Sequence, residues 1–247
     1  MSNRSRSRID PSSETIRKRK SRLEELAEIQ PLKPKESKYQ LELGNKKIGF
    51  NSEYYSAVFA WNIPPAATCP GRSNWCIENC YNGDDRPDTY DLKTWRQNWW
   101  GATNEPEVVK EAIVSQLRGY EDPTALRIHS SGDFFSNAYI QLWCDIVNRC
   151  PRTSFWAYTR SWTECDLKSD LEVLRSRNNM QLFASWDETM PAPPDDWRVS
   201  VVDAAPIGRK RALLDCPEQY DLSREINCAS CRYCLLEKSG DVFFALH

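Results

Sequence analysis

Apolar and polar positions along this chain switch repeatedly between the two-residue period of a strand and the 3.6-residue period of a helix. SAVFAWNIP (56–64) is a β-rich run that stops at Pro64 and Pro65, and EPEVVKEAIVSQLRGY (105–120) repeats its apolar residues at helical spacing. ALRIHSSGDFF (125–135) begins as a strand and breaks at Ser-Ser-Gly-Asp, and NAYIQLWCDIVNRC (137–150) is a helix closed by Pro151. SFWAYTRSW (154–162) predicts a third strand, DLEVLRSRNN (170–179) a third helix, MQLFASWD (180–187) a fourth strand and WRVSVVD (197–203) a fifth. Strands alternating with helices of this length predict an α/β fold of right-handed βαβ units around a parallel sheet.

Ligands of such sheets gather at the carboxyl ends of the strands. The polar interruptions fall at those ends: Cys69 to Cys80, His129 to Asp133, Thr159 to Trp162, and Ser185 to Glu188. Four strand ends with unusual polar chemistry are expected to form one rim of one site.

The start of the chain is different. Residues 1–13 are expected to be disordered, SETIRKRKSRLEELAEI reads as a charged, weakly amphipathic helix, and PLKPKESK breaks it. Residues 1–38 hold eleven Lys or Arg against six Asp or Glu, so this arm is basic while the whole chain has a net charge of −2. Such an arm can grip nucleic acid or can be a solvated tail. The expected organisation is a basic arm (1–38), an α/β domain (39–210) and a Cys-rich C-terminal segment (211–247).

No run of eighteen apolar residues predicts a membrane span, and the first residues lack the apolar stretch of a secretion signal. A cytoplasmic location is expected, where thiols stay reduced. That expectation governs the reading of ten cysteines alongside only two histidines, His129 and His247. Thiolate-rich sites select zinc or iron–sulfur clusters rather than His-rich metal chemistry.

The cysteines fall into two sets. Cys69, Cys76 and Cys80 are spaced C-x6-C-x3-C; the last two are one helical turn apart, and Pro70-Gly71 lets the chain bend Cys69 back towards them. Three thiolates without a fourth suit a 4Fe–4S cluster with one open iron, with zinc borrowing a distant ligand as the rival. Cys216 with Cys228, Cys231 and Cys234 supplies four thiolates, enough to close a site around zinc or a second 4Fe–4S cluster. Cys144, Cys150 and Cys165 are expected to be core or surface residues.

In their order these motifs resemble the phage and mobile-element "gene product 88" family. The residues that carry the resemblance are Gly44-Asn45-Lys46-Lys47-Ile48-Gly49, Cys69 to Tyr81, His129 to Phe135, Ala157 to Trp162, and Cys216 to Cys234, across about residues 43–247. The layout is similar to that of radical S-adenosylmethionine (SAM) enzymes. That resemblance implies a partial (β/α) barrel of parallel strands, with a Cys-rich metal-binding appendage. It also implies a cluster on Cys69, Cys76 and Cys80 that binds SAM at its open iron, fed by an electron donor. On this reading Ser131, Gly132 and Asp133 meet the SAM amino group, Arg160 its carboxylate, and Asp187 with Glu188 the ribose or substrate. The C-x6-C-x3-C spacing departs from the usual C-x3-C-x2-C. In the plainer alternatives Asp133 caps the helix starting near Asn137, and Arg160 pairs with Asp187. The competing function is a non-catalytic nucleic-acid-binding protein with structural zinc, in which TWRQNWWG (94–101) stacks bases.

Overall fold

The computed structural model describes residues 13–80, 82, 89–204, 211–221, 223, 225–236 and 240–245. The expected disorder of residues 1–13 lies almost wholly outside them.

Five predicted strands form close to their expected bounds. They are β2 (Ala57–Trp61), β3 (Thr124–Ile128), β4 (Thr153–Thr159), β5 (Met180–Trp186) and β6 (Arg198–Val202). They lie side by side in sequence order and all parallel. β1 (Glu42–Leu43) adds antiparallel to β2 at one edge. At the other, β8 (Asp241–Phe244) pairs with β6 and β7 (Leu213–Asp215) pairs with β8. The segment 211–247, expected as an appendage, therefore contributes two strands to the same sheet. The order is β1-β2-β3-β4-β5-β6-β8-β7, and β1 and β7 are the two edges of this eight-stranded sheet.

Sequential order with parallel strands puts the crossover helices on one face. α4 (Pro106–Arg118), α5 (Asn137–Arg149) and α6 (Cys165–Arg175) bury Val109, Ile113, Ile140, Val147, Leu167 and Leu171 there, against Phe59, Leu126, Phe155, Leu182 and Val199 of the strands. Pro at the first turn of α4 and Ser136 at the N-cap of α5, accepting from the amide of Tyr139, explain where those helices start. The helix predicted over 170–179 begins earlier, at Cys165.

The alternate strand positions face the other way, and they are less uniformly apolar. Val58, Ala60, Ala125 and Trp156 pack there with Ile48, Ala229 and Leu235, while Phe183 packs with Cys216 and Val242. This face is covered by the chain's N- and C-terminal segments instead of by crossover helices. One side of the sheet thus holds the main core and the other is left for the cysteines.

One helix was hidden in polar sequence. α3 (Thr89–Asn104) contains the Trp-rich TWRQNWWG stretch. Trp95 donates to Glu42 and Trp99 packs edge-on against Phe135 at 6.3 Å, so these rings are used within the fold. α1 (Ser13–Ala27) forms as the arm's amphipathic pattern predicts. Its Leu23 and Leu26 are buried against Ala66, Ile77, Cys80 and Leu92, so the helical part of the basic arm docks on the Cys-bearing loop. No helix among the described residues is long and apolar enough to cross a membrane.

Candidate metal and ligand cavity

A cavity of about 270 Å³ opens on the sheet face opposite the crossover helices. Both cysteine sets line it: Cys69, Cys76 and Cys80 at the strand ends, and Cys216, Cys228, Cys231 and Cys234 from the C-terminal segment.

The first set is held by a loop and a short helix, α2 (Asn74–Asn79). Ser73 caps α2 by accepting from the amide of Cys76 at 3.0 Å, and its hydroxyl donates to Asp187 at 2.6 Å. Asp187 is fully buried at the end of β5; it also accepts from the amide and hydroxyl of Thr189 and forms an ion pair with Arg160. Burial alone would raise the Asp187 carboxyl, but the bonds from Ser73 and Thr189 and the Arg160 charge outweigh it and hold it below its ordinary range. The Arg160 guanidinium also lies 5.9 Å from the Trp75 ring centroid. The plainer alternative therefore holds for this pair: Arg160 and Asp187 join each other, and through Ser73 they fix the helix that carries Cys76.

Asp133 is similarly engaged. Its two oxygens accept from the Thr159 hydroxyl at 2.6 Å and from the amides of Phe134 (2.7 Å), Arg160 (2.8 Å) and Ser161 (3.2 Å). A carboxylate offers about four acceptor positions, and these are filled. Asp133 thus braces the turn after β4 and does not cap α5, whose cap is Ser136. Burial raises its carboxyl despite those four bonds.

Two glycines let these loops close up. Gly132 has φ +83, and a Cβ there would sit 2.3 Å from Ile63. A Cβ on Gly71 would sit 2.1 Å from the carbonyl oxygen of Arg160, so the Cys69 loop can press on the β4 turn only without a side chain.

The second set rests on the Gly44–Gly49 motif, whose role the sequence alone left open. α8 (Cys228–Cys231) has a capping box of Asn227 and Ser230, and the amides of Cys228 and Ala229 donate to the carbonyls of Lys47 and Ile48 at 3.0 and 3.1 Å. Gly49, at φ +87, would push a Cβ to 2.7 Å from the Asn227 side chain. Cys216 is tied by its amide to the carbonyl of Phe243 in β8.

Cations face this second set. Arg198, buried in β6, donates to the carbonyls of Tyr233, Leu236 and Gly240, and so grips the loop that carries Cys234. Arg127, in the middle of β3, is an electrostatic neighbour of Cys228, and Lys47 is a neighbour of Cys216 and Cys228. Burial pushes the Cys228 thiol up to about 12 and the Cys234 thiol to about 11, against the opposing pull of Arg127 on the first and of the Tyr158 hydroxyl and Arg198 on the second. Burial likewise drives the Cys69 thiol well up, with Asp133, Cys76 and Cys80 adding to it.

The sequence reading missed Ser73, Tyr158, Arg127 and Arg198 as site residues. A signal existed for the last two. Each is a charge inside an otherwise apolar strand, at an alternate position to the helix-facing residues.

Among the described residues, no group of three or more His, Cys, Asp or Glu side chains is arranged to hold a metal ion. Of the remaining cysteines, Cys144 and Cys150 are buried and Cys165 is exposed.

A family model described as "Gene product 88" matches residues 34–236. The chain is 28% identical over 105 residues to the "Gene 88 protein" of Mycobacterium phage L5, a match covering 39% of this chain and 44% of that protein. It is 27% identical over 105 residues to the "Gene 88 protein" of Mycobacterium phage D29, with the same coverage. The match thus spans less than half the length of either relative. No solved structure matches the chain.

Proposed function

The chain belongs to the gene product 88 family, and from that premise we propose that it is an iron–sulfur protein with radical-SAM-like chemistry, built on a partial (β/α) barrel. The observation that carries the reading is the seven cysteines of both sets lining one cavity, at and below the carboxyl ends of parallel strands. A sequential parallel sheet with its crossover helices on one face is also what a partial barrel requires, since the opposite face is then free for the site.

A donor set of thiolates alone suits an iron–sulfur cluster, with zinc as the alternative at the C-terminal set. A tetrahedral zinc needs its sulfurs about 2.3 Å from one point. A cluster takes each thiolate on a separate iron, so the sulfurs stay further apart. The thiols within each set are electrostatic neighbours of one another. Cys69, Cys76 and Cys80 would hold the cluster with an open iron, and Cys216, Cys228, Cys231 and Cys234 a closed second site.

A cluster of the first kind, when bound with SAM and supplied with one electron, yields methionine and a 5′-deoxyadenosyl radical. The protein's own residues bind, orient and exclude water. Arg160 and Asp187 fix the position of Cys76 through Ser73, and α1 shields the Cys80 side. Of the residues assigned to SAM by resemblance, Ser131 keeps a free hydroxyl on the cavity wall, whereas Asp133 has its acceptor positions filled.

Anaerobic purification with iron, sulfide and zinc quantified tests this directly. About four irons with matching sulfide are expected for one cluster and about eight for two, with about four lost in Cys76→Ala. Dithionite-reduced protein should release 5′-deoxyadenosine from SAM, and Cys76→Ala should not. Stoichiometric zinc without sulfide would refute the iron reading, and iron without SAM cleavage would leave a cluster protein without radical chemistry.

A further inference from the structure

Five consecutive residues of β3 and the loop after it concentrate unsatisfied polar groups. Arg127 Nε, His129 Nδ1, Ser130 Oγ and Ser131 Oγ are all buried without a hydrogen-bond partner among the described residues, and all four residues line the cavity. Buried polar atoms are nearly always paired, so four orphans on one wall point to a missing partner. The loop amides are not short of partners: those of Ser130 and Ser131 both donate to Asn62 Oδ1, at 2.7 and 3.0 Å. Only these side-chain atoms are left over, on residues that line the cavity.

The character of the missing partner follows from the protons. The Tyr139 hydroxyl contacts Trp61 Nε1 at 3.2 Å and His129 Nε2 at 2.8 Å. An indole nitrogen only donates, so the Tyr139 proton has His129 Nε2 as its acceptor. The imidazole proton then sits on Nδ1, the unpartnered nitrogen. Burial, with the Arg127 charge adding to it, pushes the His129 pKa down to about 3, so the ring is neutral and Nδ1–H is a donor. Backbone strain sits at the same place: His129 has φ +66, in the left-handed region where non-glycine residues are held only by surrounding structure. Arg127 brings a guanidinium with no carboxylate partner among the described residues, 5.5 Å from the Tyr158 ring centroid. Asp133, the nearby carboxylate, has no acceptor capacity left.

We propose that Arg127, His129, Ser130 and Ser131 form a binding subsite for the anionic group of a ligand, a carboxylate or a phosphate, within the cavity that the two cysteine sets line. The guanidinium supplies charge and N–H donors, the imidazole one directed donor, and the two hydroxyls complete a wall that an oxyanion satisfies and an ammonium group does not. The subsite does not depend on iron at either set, so its failure and failure of the cluster reading are separately visible.

The test is calorimetric titration of the anaerobically purified full chain with inorganic phosphate, acetate and methylammonium, each at constant ionic strength. Saturable binding of phosphate or acetate is expected, and the tighter of the two identifies the class of ligand. Arg127→Gln should weaken it about ten-fold or more and Ser131→Ala by a smaller factor. With only two histidines in the chain, ring-15N labelling of the wild type gives a readout that does not depend on a variant folding: the Nδ1–H resonance of His129 should shift and saturate with the same anion. No saturable anion binding, binding of methylammonium in its place, or unchanged affinity in Arg127→Gln would overturn the proposal. The last result, combined with loss of metal from the second cysteine set, would assign Arg127 to balancing the charge at Cys228 instead.

Discussion

The two cysteine sets share a ligand type and a cavity but differ in almost every other respect. The first has three thiols on a loop and a one-and-a-half-turn helix at the strand ends, with Asp133 and Asp187 as buried acidic neighbours and Arg160 between them. The second has four thiols laid over the inner face of the sheet, ringed by Arg127, Arg198 and Lys47. Four thiolates around a metal carry net negative charge, and burying that charge is costly unless cations face it. The cations are where that cost arises. The first set lacks a fourth thiol, and its pairing network is directed at holding a helix in place. On the proposed reading, one arrangement would close a site and the other would keep a position on it accessible.

On the proposed reading, the largest effect that would separate them is loss of a metal held by the second set. The C-terminal segment covers the inner face and is gripped by Arg198 of β6, so its cysteines are part of the fold. Cys231→Ser should cost on the order of 5 kcal/mol and lower Tm by about 10–20 °C, because metal binding free energy at such a site is folding free energy. Cys76→Ser should lower Tm by only a few degrees, since α2 is independently tied to Asp187 and covered by α1. Equal losses of Tm, measured by calorimetry under anaerobic conditions, would remove the distinction.

Next in size is Asp187→Asn. It leaves the Arg160 guanidinium buried beside a neutral group, a change that costs about 3–5 kcal/mol for buried pairs. Iron retention should fall at the first set before the second. Urea midpoints and iron counts on the same preparation would check both statements.

How much of this was legible in the sequence divides along physical lines. The strands β2 to β6 and helices α4 to α6 were readable because each buries one face in a single core, and periodicity records that burial. α3 was missed because its sequence is polar and aromatic on several sides, with Trp95 and Asn98 hydrogen-bonded to Glu42 and Asn62, which pattern cannot foresee. β7 and β8 were missed because they are only three and four residues long, with β7 at the sheet edge. At the site, the seven cysteines were readable from spacing and now share a cavity. The pairing of Arg160 with Asp187 was one of the readings the residues allowed, but the role of Asp133 was not, because a carboxylate's partners depend on which strand ends are neighbours. Asp133 on the loop after β3 and Asp187 after β5 each reach the turn after β4, and that adjacency exists only once the sheet has formed.

A smaller effect concerns pH. With the folded-state pKa of His129 lowered to about 3, below the 6.5 of a free imidazole, the unfolded chain binds a proton that the native state refuses. Stability is therefore full above about pH 6.5 and falls as pH drops from there towards 3, at up to about 1.4 kcal/mol per unit, or roughly 2 kcal/mol by pH 5. His129→Asn, a residue that tolerates positive φ, should remove this part of the slope. Denaturant midpoints of both proteins at pH 7 and 5 measure it. Identical slopes would mean that His129 protonates freely in the fold, and so that this side of the cavity is wet.

The smallest change tests the link from the strand ends to the first set. The Ser73 hydroxyl is a relay: it accepts from the Cys76 amide and donates to Asp187, so one oxygen both starts α2 and joins it to β5. Ser73→Ala removes no thiol and no charge, and as the loss of an N-cap it should cost only about 1 kcal/mol of global stability. If the strand ends set the position of Cys76 through this oxygen, iron at the first set should nonetheless become easier to chelate while the second set holds its metal unchanged. Ser73→Thr, which keeps the hydroxyl, should restore retention. If both sets loosen together, or if Thr fails where Ala already does no harm, Cys76 is placed by α1 and the loop glycines instead. The two sets would then differ in charge and ligand number, but not in how the sheet holds them.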